Sequence, residues 1–193
     1  PLTRMAALSS ATTTQQHHDN TTSFASYLES TIPASLAEII QSKKEALSSV
    51  RHDNINVIIG NEAGDADSVI SALTLGYVMS SNNKAPLLDT LQVPIVSIPR
   101  AEMELRRDAA LLLDMVGINV QKLLYIDDDI VTNHLLPSSS TISSSNVSSD
   151  VLNNTITLVD HNRLRPMFAH LNSLLTEIVD HHKDEKHHQQ VVS

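Results

Sequence analysis

The chain has 193 residues and no cysteine, and 22 Asp and Glu against 13 Lys and Arg leave a net charge of −9 with histidine neutral. That length suits one α/β domain, and the missing cysteine excludes a disulfide framework, a thiolate nucleophile and a Cys-based metal site. The acidity disfavours nucleic acid and anionic membrane, which need a basic face, and with 3% aromatics and no Trp the core must be aliphatic and stacking platforms for single strands are scarce.

The chain opens on Pro1 rather than Met, as a fragment or a processed start would. Pro1 to Ser10 lacks the apolar region of a signal peptide, and no apolar run reaches the roughly 18 residues of a membrane-spanning helix. A cytoplasmic protein is expected. Residues 1–22, rich in Thr, Ser, Gln and His, read as a disordered leader. From Phe24 to Val50 the pattern is helical, with an interruption expected at Pro33 and a stripe of Leu36, Ile39, Ile40 and Leu47. Ile55 to Ile59 is a short apolar run ending at Gly60, the signature of a buried strand. A helix over Val69 to Met79 is expected next, capped by Asp67 or Ser68. Val93 to Ile98 is a second strand, placed near an edge by Pro94 and Pro99. Ala101 to Val116 reads as a helix with Leu105, Leu112, Met115 and Val116 as its buried stripe, stopped by Gly117. Leu123 to Ile126 and Ile156 to Val159 are the third and fourth strands, Phe168 to Leu175 a helix, and Glu177 to Val179 the start of a fifth strand. Between the third and fourth strands, 137–155 is an insertion, and eight of the thirteen residues from Ser138 to Asp150 are Ser. It reads as a surface loop. Strands alternating with helices imply a three-layer, Rossmann-like α/β domain with a mainly parallel sheet and helices on both faces.

The chemistry gathers where these strands end. Gly60-Asn61-Glu62-Ala63-Gly64-Asp65-Ala66-Asp67-Ser68 follows the first strand, and Asp127-Asp128-Asp129 the third. Asp160-His161-Asn162 follows the fourth, and Asp180-His181-His182 the fifth. In an open α/β sheet the ligand crevice lies at the carboxyl ends of the strands. Each piece alone is ordinary: Asp-x-Asp in a turn is commonly a solvated cap. Together they would repel one another unless cations filled the cluster, and carboxylate and imidazole donors suit Mg²⁺ or Mn²⁺. Asp65 and Asp67 would reach two adjacent ions, Asp160 would bridge them, and His181 would add a nitrogen ligand. Two such ions clamp a phosphoryl group, and the N-terminus of the helix near Ser68 favours phosphate. Arg100, Arg106 and Arg107 would either fork onto phosphate oxygens or pair along the helix surface, as Glu102 with Arg106 at i, i+4. Asp127, Asp128 and Asp129 would either support the site from behind or form the loop after the third strand.

The series GNEAGDADS, LVDHN and IVDHH, in this order, resembles the DHH phosphoesterase superfamily, and within it the exopolyphosphatase and prune group, which is similar to family II inorganic pyrophosphatases. Val93 to Arg100, followed by Glu104 to Asp108, resembles the same group rather than the pyrophosphatases. The match covers about Ile55 to Asp184. The resemblance implies a first-motif metal pair in Asp65 and Asp67, a bridging aspartate in Asp160 and a metal histidine in His181. It places His182 near the substrate phosphate and Asn61 where pyrophosphatases carry a metal histidine. Arg100 is a further candidate for substrate. The family continues with a fourth-motif aspartate and a smaller basic C-terminal domain, both beyond Ser193. Residues 23–193 are therefore expected to be an N-terminal DHH domain that needs the second domain in cis, and to be slow or inactive without it.

The implied function is a metal-dependent phosphoanhydride hydrolase acting on inorganic polyphosphate or pyrophosphate, with in-line attack of water on a terminal phosphorus. A DHH phosphodiesterase on short oligonucleotides or cyclic nucleotides is the alternative enzyme. The charge, the few aromatics and the Arg-containing segment count against it. A prune-like interaction module with little turnover is the third reading.

Overall fold

The computed structural model describes residues 23–44, 54–82, 90–137 and 153–183. The leader at 1–22 and the Ser-rich run at 138–150 lie outside the described residues. In chain order the elements are α1 (Phe24–Ser26), a π-helical turn (Tyr27–Thr31), α2 (Ile32–Lys44), β1 (Asn54–Ile59), α3 (Ala66–Asn82), β2 (Thr90–Ile95), a 3-10 segment (Arg100–Leu105) and α4 (Arg107–Met115). A 3-10 turn (Val120–Lys122), a π-helical turn (Val131–Leu135), β3 (Asn153–Val159), a 3-10 segment (Pro166–Leu174) and β4 (Leu175–Val179) follow. No helix among the described residues is long and apolar enough to cross a membrane.

The four strands form one sheet in the order β2-β1-β3-β4, parallel throughout. β1 is buried from Ile55 to Ile59, as a central strand covered on both faces must be. Alternation sends Ile55, Val57 and Ile59 to one face and Asn56 and Ile58 to the other. α3 lies on the second face, where Ile58, Ala72 and Val159 cluster and Gly76 lets the helix approach Pro94. On the first face Ile55, Val57, Ile156 and Leu158 join the main core with Val131, Leu135, Phe168 and Leu171. Asn154, on that face, donates to the carbonyls of His134 and Leu135. The sheet is thus the middle of three layers. Each fully buried Ile, Leu or Val contributes about 1.5–3 kcal/mol of transfer free energy.

Register is pinned by a buried polar line across three strands. Asn56 Nδ2 donates to Gln92 Oε1 at 2.8 Å, and Thr155 Oγ1 donates to Asn56 Oδ1 at 3.1 Å. Gln92 and Thr155 are also the register partners of Asn56. A one-residue slip would carry every side chain of β1 to the wrong face and leave these groups unpaired.

Several expected elements differ. The helix expected to break at Pro33 passes through it. Pro33 has no N–H for the carbonyl four residues back, and the turn just before it widens so that Ile32 N–H bonds Tyr27 O. α3 starts at Ala66, ahead of both expected caps. β2 sits three residues earlier than expected, at the edge of the sheet. The expected third strand, Leu123 to Ile126, contributes one parallel bridge, Val96 to Tyr125. The carbonyls of Gln121 and Leu123 accept instead from Arg100. The expected helix over Ala101 to Val116 is split by Arg106 (φ −101°, ψ 58°), so its apolar stripe changes phase. Met103, Ala109 and Leu113 are buried, while Leu105, Leu112, Met115 and Val116 are exposed. Phe168 to Leu174 is 3-10 rather than α, and Leu175 already belongs to β4.

Candidate metal centre

Because the strands are parallel, the residues following β1, β3 and β4 emerge on one edge. After β1 the chain turns at Gly60, where a Cβ would collide with Ser68. Asn61 organises the turn. Its Oδ1 accepts from the N–H groups of Ala63 (2.9 Å) and Gly64 (3.1 Å), its own N–H donates to Ser68 Oγ at 2.6 Å, and its carbonyl accepts from Ser97 Oγ–H. Gly64 then takes φ +59° against Ile98, a conformation without penalty only for glycine. It delivers Asp65 and Asp67 at the N-terminal turn of α3, the positive end of the helix dipole.

After β3, Asp160 adopts φ +63°, the one non-glycine residue with positive φ among the described residues. Its N–H donates to Val179 O at 2.9 Å, joining the ends of β3 and β4. Its carboxylate is 7% exposed and doubly engaged: Oδ2 accepts from Asn61 Nδ2 at 2.7 Å, and Oδ1 lies 3.0 Å from His181 Nε2. Asp65, Asp67 and Asp160 offer carboxylate oxygens within 4.8 Å of one another, and Asp160, His181 and His182 form a second such group. Asp160 belongs to both.

His182 Nδ1 lies 2.7 Å from Asp180 Oδ1 and 3.8 Å from Asp160 Oδ1. The Asp180 hydrogen bond raises the His182 pKa above its ordinary value, with Asp160 and Asp67 adding attraction. Desolvation pushes the Asp180 pKa up, but its hydrogen bonds with His182 and Asn162 outweigh this and hold it below the ordinary carboxylate value. Burial lowers the pKa of His161, whose Nδ1 lies 3.0 Å from Val159 O.

The donor set suits a hard divalent cation: carboxylate oxygens and an imidazole nitrogen converge, and three carboxylates this close repel one another without one. Two expected site residues sit differently. Asn61 presents its NH₂ to Asp65 (3.2 Å) and Asp160, because its oxygen is occupied by two backbone N–H groups. It orients the carboxylates and offers no ligand oxygen. Arg100 is committed elsewhere: its guanidinium forks onto Asp128, donates to Gln121 and Leu123 carbonyls, and stacks 4.3 Å from the Tyr125 ring centroid. Asp127 and Asp128 are loop formers, accepting from the N–H groups of Arg100 and Tyr125.

Of the other residues at the site, Arg165 was not singled out by the sequence reading, Asn162 and Asp180 were named only within the clusters after the strands, and Arg106 was read as forking onto phosphate or pairing with Glu102. Arg106 Nε donates to Ala63 O at 2.9 Å, and Arg165 Nη2 to the carbonyls of Glu62 (3.1 Å) and Ser97 (2.5 Å). Both hold the first-motif loop from outside. Asn162 and Asp180 fix each other across β3 and β4 at 2.9 Å. Their signal in the sequence was their place beside Asp160 and His181.

No protein-family model matches the chain. It is 31% identical over 133 residues to a putative exopolyphosphatase of Schizosaccharomyces pombe, covering 68% of this chain and 30% of that protein. It is 30% identical over 134 residues to exopolyphosphatase PRUNE1 of Bos taurus and of Homo sapiens, covering 69% of this chain and 26% of each relative. The chain therefore aligns with about a third or less of the length of these curated relatives.

Proposed function

The chain belongs to the exopolyphosphatase and prune group of the DHH phosphoesterases, and on that premise we propose that it is the metal-holding part of a hydrolase that releases orthophosphate from inorganic polyphosphate. The observation that carries this reading is the membership of Asp160 in both ligand groups, the place of a carboxylate shared by two cations. Asp65 and Asp67 would hold one Mg²⁺ or Mn²⁺ with Asp160, and His181 would complete the other side. Bound there, the cations would polarise phosphoryl oxygens and lower the pKa of water.

The residues of the chain do the rest. Asn61 keeps Asp65 and Asp160 turned toward each other through its two N–H donors. His182, whose pKa the Asp180 hydrogen bond raises, would offer a ring N–H to a phosphate oxygen. The start of α3 adds its dipole. In the reaction, a water oxygen would bond to the terminal phosphorus as the bridging P–O bond breaks in line, the shortened polyphosphate leaving on the bridging oxygen and the water giving up its proton to solvent. Asp160 is buried, at a backbone angle that fixes its direction.

The test is orthophosphate release from long-chain polyphosphate, with Mg²⁺ or Mn²⁺, by the gene product carrying this chain, beside its Asp65→Ala variant. Release lost in the variant supports the reading. Mononucleotide release from a short oligonucleotide, without activity on polyphosphate, would replace it with phosphodiester hydrolysis. Metal binding without turnover on either would assign the chain to the interaction modules.

A further inference from the structure

Beside Asp160 lies an open cavity of about 490 Å³ between the segment after β3 and the residues after β4, within the range of small-molecule sites. Its lining is rich in charge, and the charges are not equivalent. The anionic groups are answered inside the protein: Asp160 by Asn61 and His181, Asp180 by Asn162 and His182, and Glu62 by Arg165, whose Nε is 3.7 Å from its carboxylate. Arg163 and Lys183, both exposed and both among the residues lining the cavity, have no side-chain hydrogen-bond or ion-pair partner among the described residues. Lys183 is nonetheless held in place, since its carbonyl accepts from Asn162 Nδ2 at 3.0 Å. Asn162 therefore ties the segment after β3 to both Asp180 and Lys183 after β4.

A cavity lined both by Asp160 and by two cationic residues without acceptors among the described residues suits an oligophosphate. We propose that Arg163 and Lys183 form an anion subsite. It seats the phosphoryl groups beyond the one that reacts and favours condensed phosphates of three or more units over orthophosphate. This rests on the reading of the site as a phosphoanhydride centre. The guanidinium fork matches phosphate oxygens in pairs, and the ammonium acts as a second point charge. His182 lines the same cavity, and its ring stands 3.8 Å from Asp160.

The test uses ¹⁵N-labelled chain in buffer containing Mg²⁺, titrated with tripolyphosphate and separately with orthophosphate. A second titration uses Mn²⁺ alone. Wild-type chain is expected to show saturable shifts at 161–165 and at Lys183 with tripolyphosphate, tighter than with orthophosphate. In the double variant Arg163→Gln, Lys183→Gln the tripolyphosphate affinity should fall about tenfold or more, the loss expected for charge-assisted bonds. Mn²⁺ broadening around Asp65, Asp160 and His181 should remain. Both side chains are exposed, so the variant's spectrum should stay native. Equal tripolyphosphate affinity in the two proteins, or no saturable shifts in the wild type, overturns the subsite. Absent Mn²⁺ broadening overturns the metal reading instead, and the tripolyphosphate comparison still decides the subsite.

Discussion

His181 Nε2 lies 3.0 Å from Asp160 Oδ1, although the two residues are 21 apart in sequence and sit after different strands. The contact exists because β3 and β4 are parallel neighbours and Asp160 N–H is bonded to Val179 O at the point where both strands end. Backbone pairing therefore aims the carboxylate, and the positive φ of Asp160 completes the aim.

That backbone angle separates two substitutions. Asn tolerates the left-handed region, whereas a residue with only a Cβ pays the full steric cost. Asp160→Ala should be less stable than Asp160→Asn by about 1–2 kcal/mol, read as a lower midpoint in urea unfolding of the metal-free protein. Equal midpoints would show that the angle carries no strain.

Gly64 is the second position of this kind. A Cβ there would sit 2.5 Å from Ile98 Cγ2 at φ +59°. Gly64→Ala should cost about 1–3 kcal/mol. Because the next residue is Asp65, it should also weaken Mn²⁺ binding. A calorimetric titration matching wild type would mean that the loop does not position Asp65.

Arg100 is predicted to matter for stability and not for substrate. Arg100→Ala removes a forked pair with Asp128 and two carbonyl contacts, an expected loss of about 2 kcal/mol or more. Thermal unfolding should show a fall of several degrees. An unchanged melting temperature with weakened tripolyphosphate binding would return Arg100 to the substrate role.

The His182–Asp180 pair fixes a pH window. The raised His182 pKa means its contribution is complete below the ordinary histidine value of 6.5 and is lost as pH rises through the higher folded value. The lowered Asp180 pKa means its contribution is complete above 3.8 and is lost as pH falls through the lower folded value. The pair is therefore fully formed between about 3.8 and 6.5 in metal-free protein. Nuclear magnetic resonance titration of His182 should give a pKa above 6.5 that drops toward it in Asp180→Asn. A variant with an unchanged pKa would remove Asp180 as the cause.

The strands that carry the site were legible because each is an apolar run stopped by an acid or a glycine: Ile59 before Gly60, Val159 before Asp160, Val179 before Asp180. Segments governed by distant polar contacts were not. Leu123 to Ile126 has strand composition, but Arg100 takes carbonyls on its near side. The stripe read through Leu105, Leu112 and Met115 assumed one unbroken helix, and the turn at Arg106 shifts its phase. The acids of the site could be named from their order after the strands. The orientation of Asn61 could not, because its oxygen is claimed by backbone N–H groups two and three residues on, a preference that composition does not reveal.

The sharing of Asp160 between two ligand groups is tested most directly by counting bound Mn²⁺ with electron paramagnetic resonance in wild type, Asp160→Asn and Asp127→Asn. Two ions per wild-type chain are expected, with Asp127→Asn unchanged and Asp160→Asn losing affinity for both, since an amide cannot present two anionic oxygens. Equal binding by the two variants, or no bound ion in wild type, would contradict it.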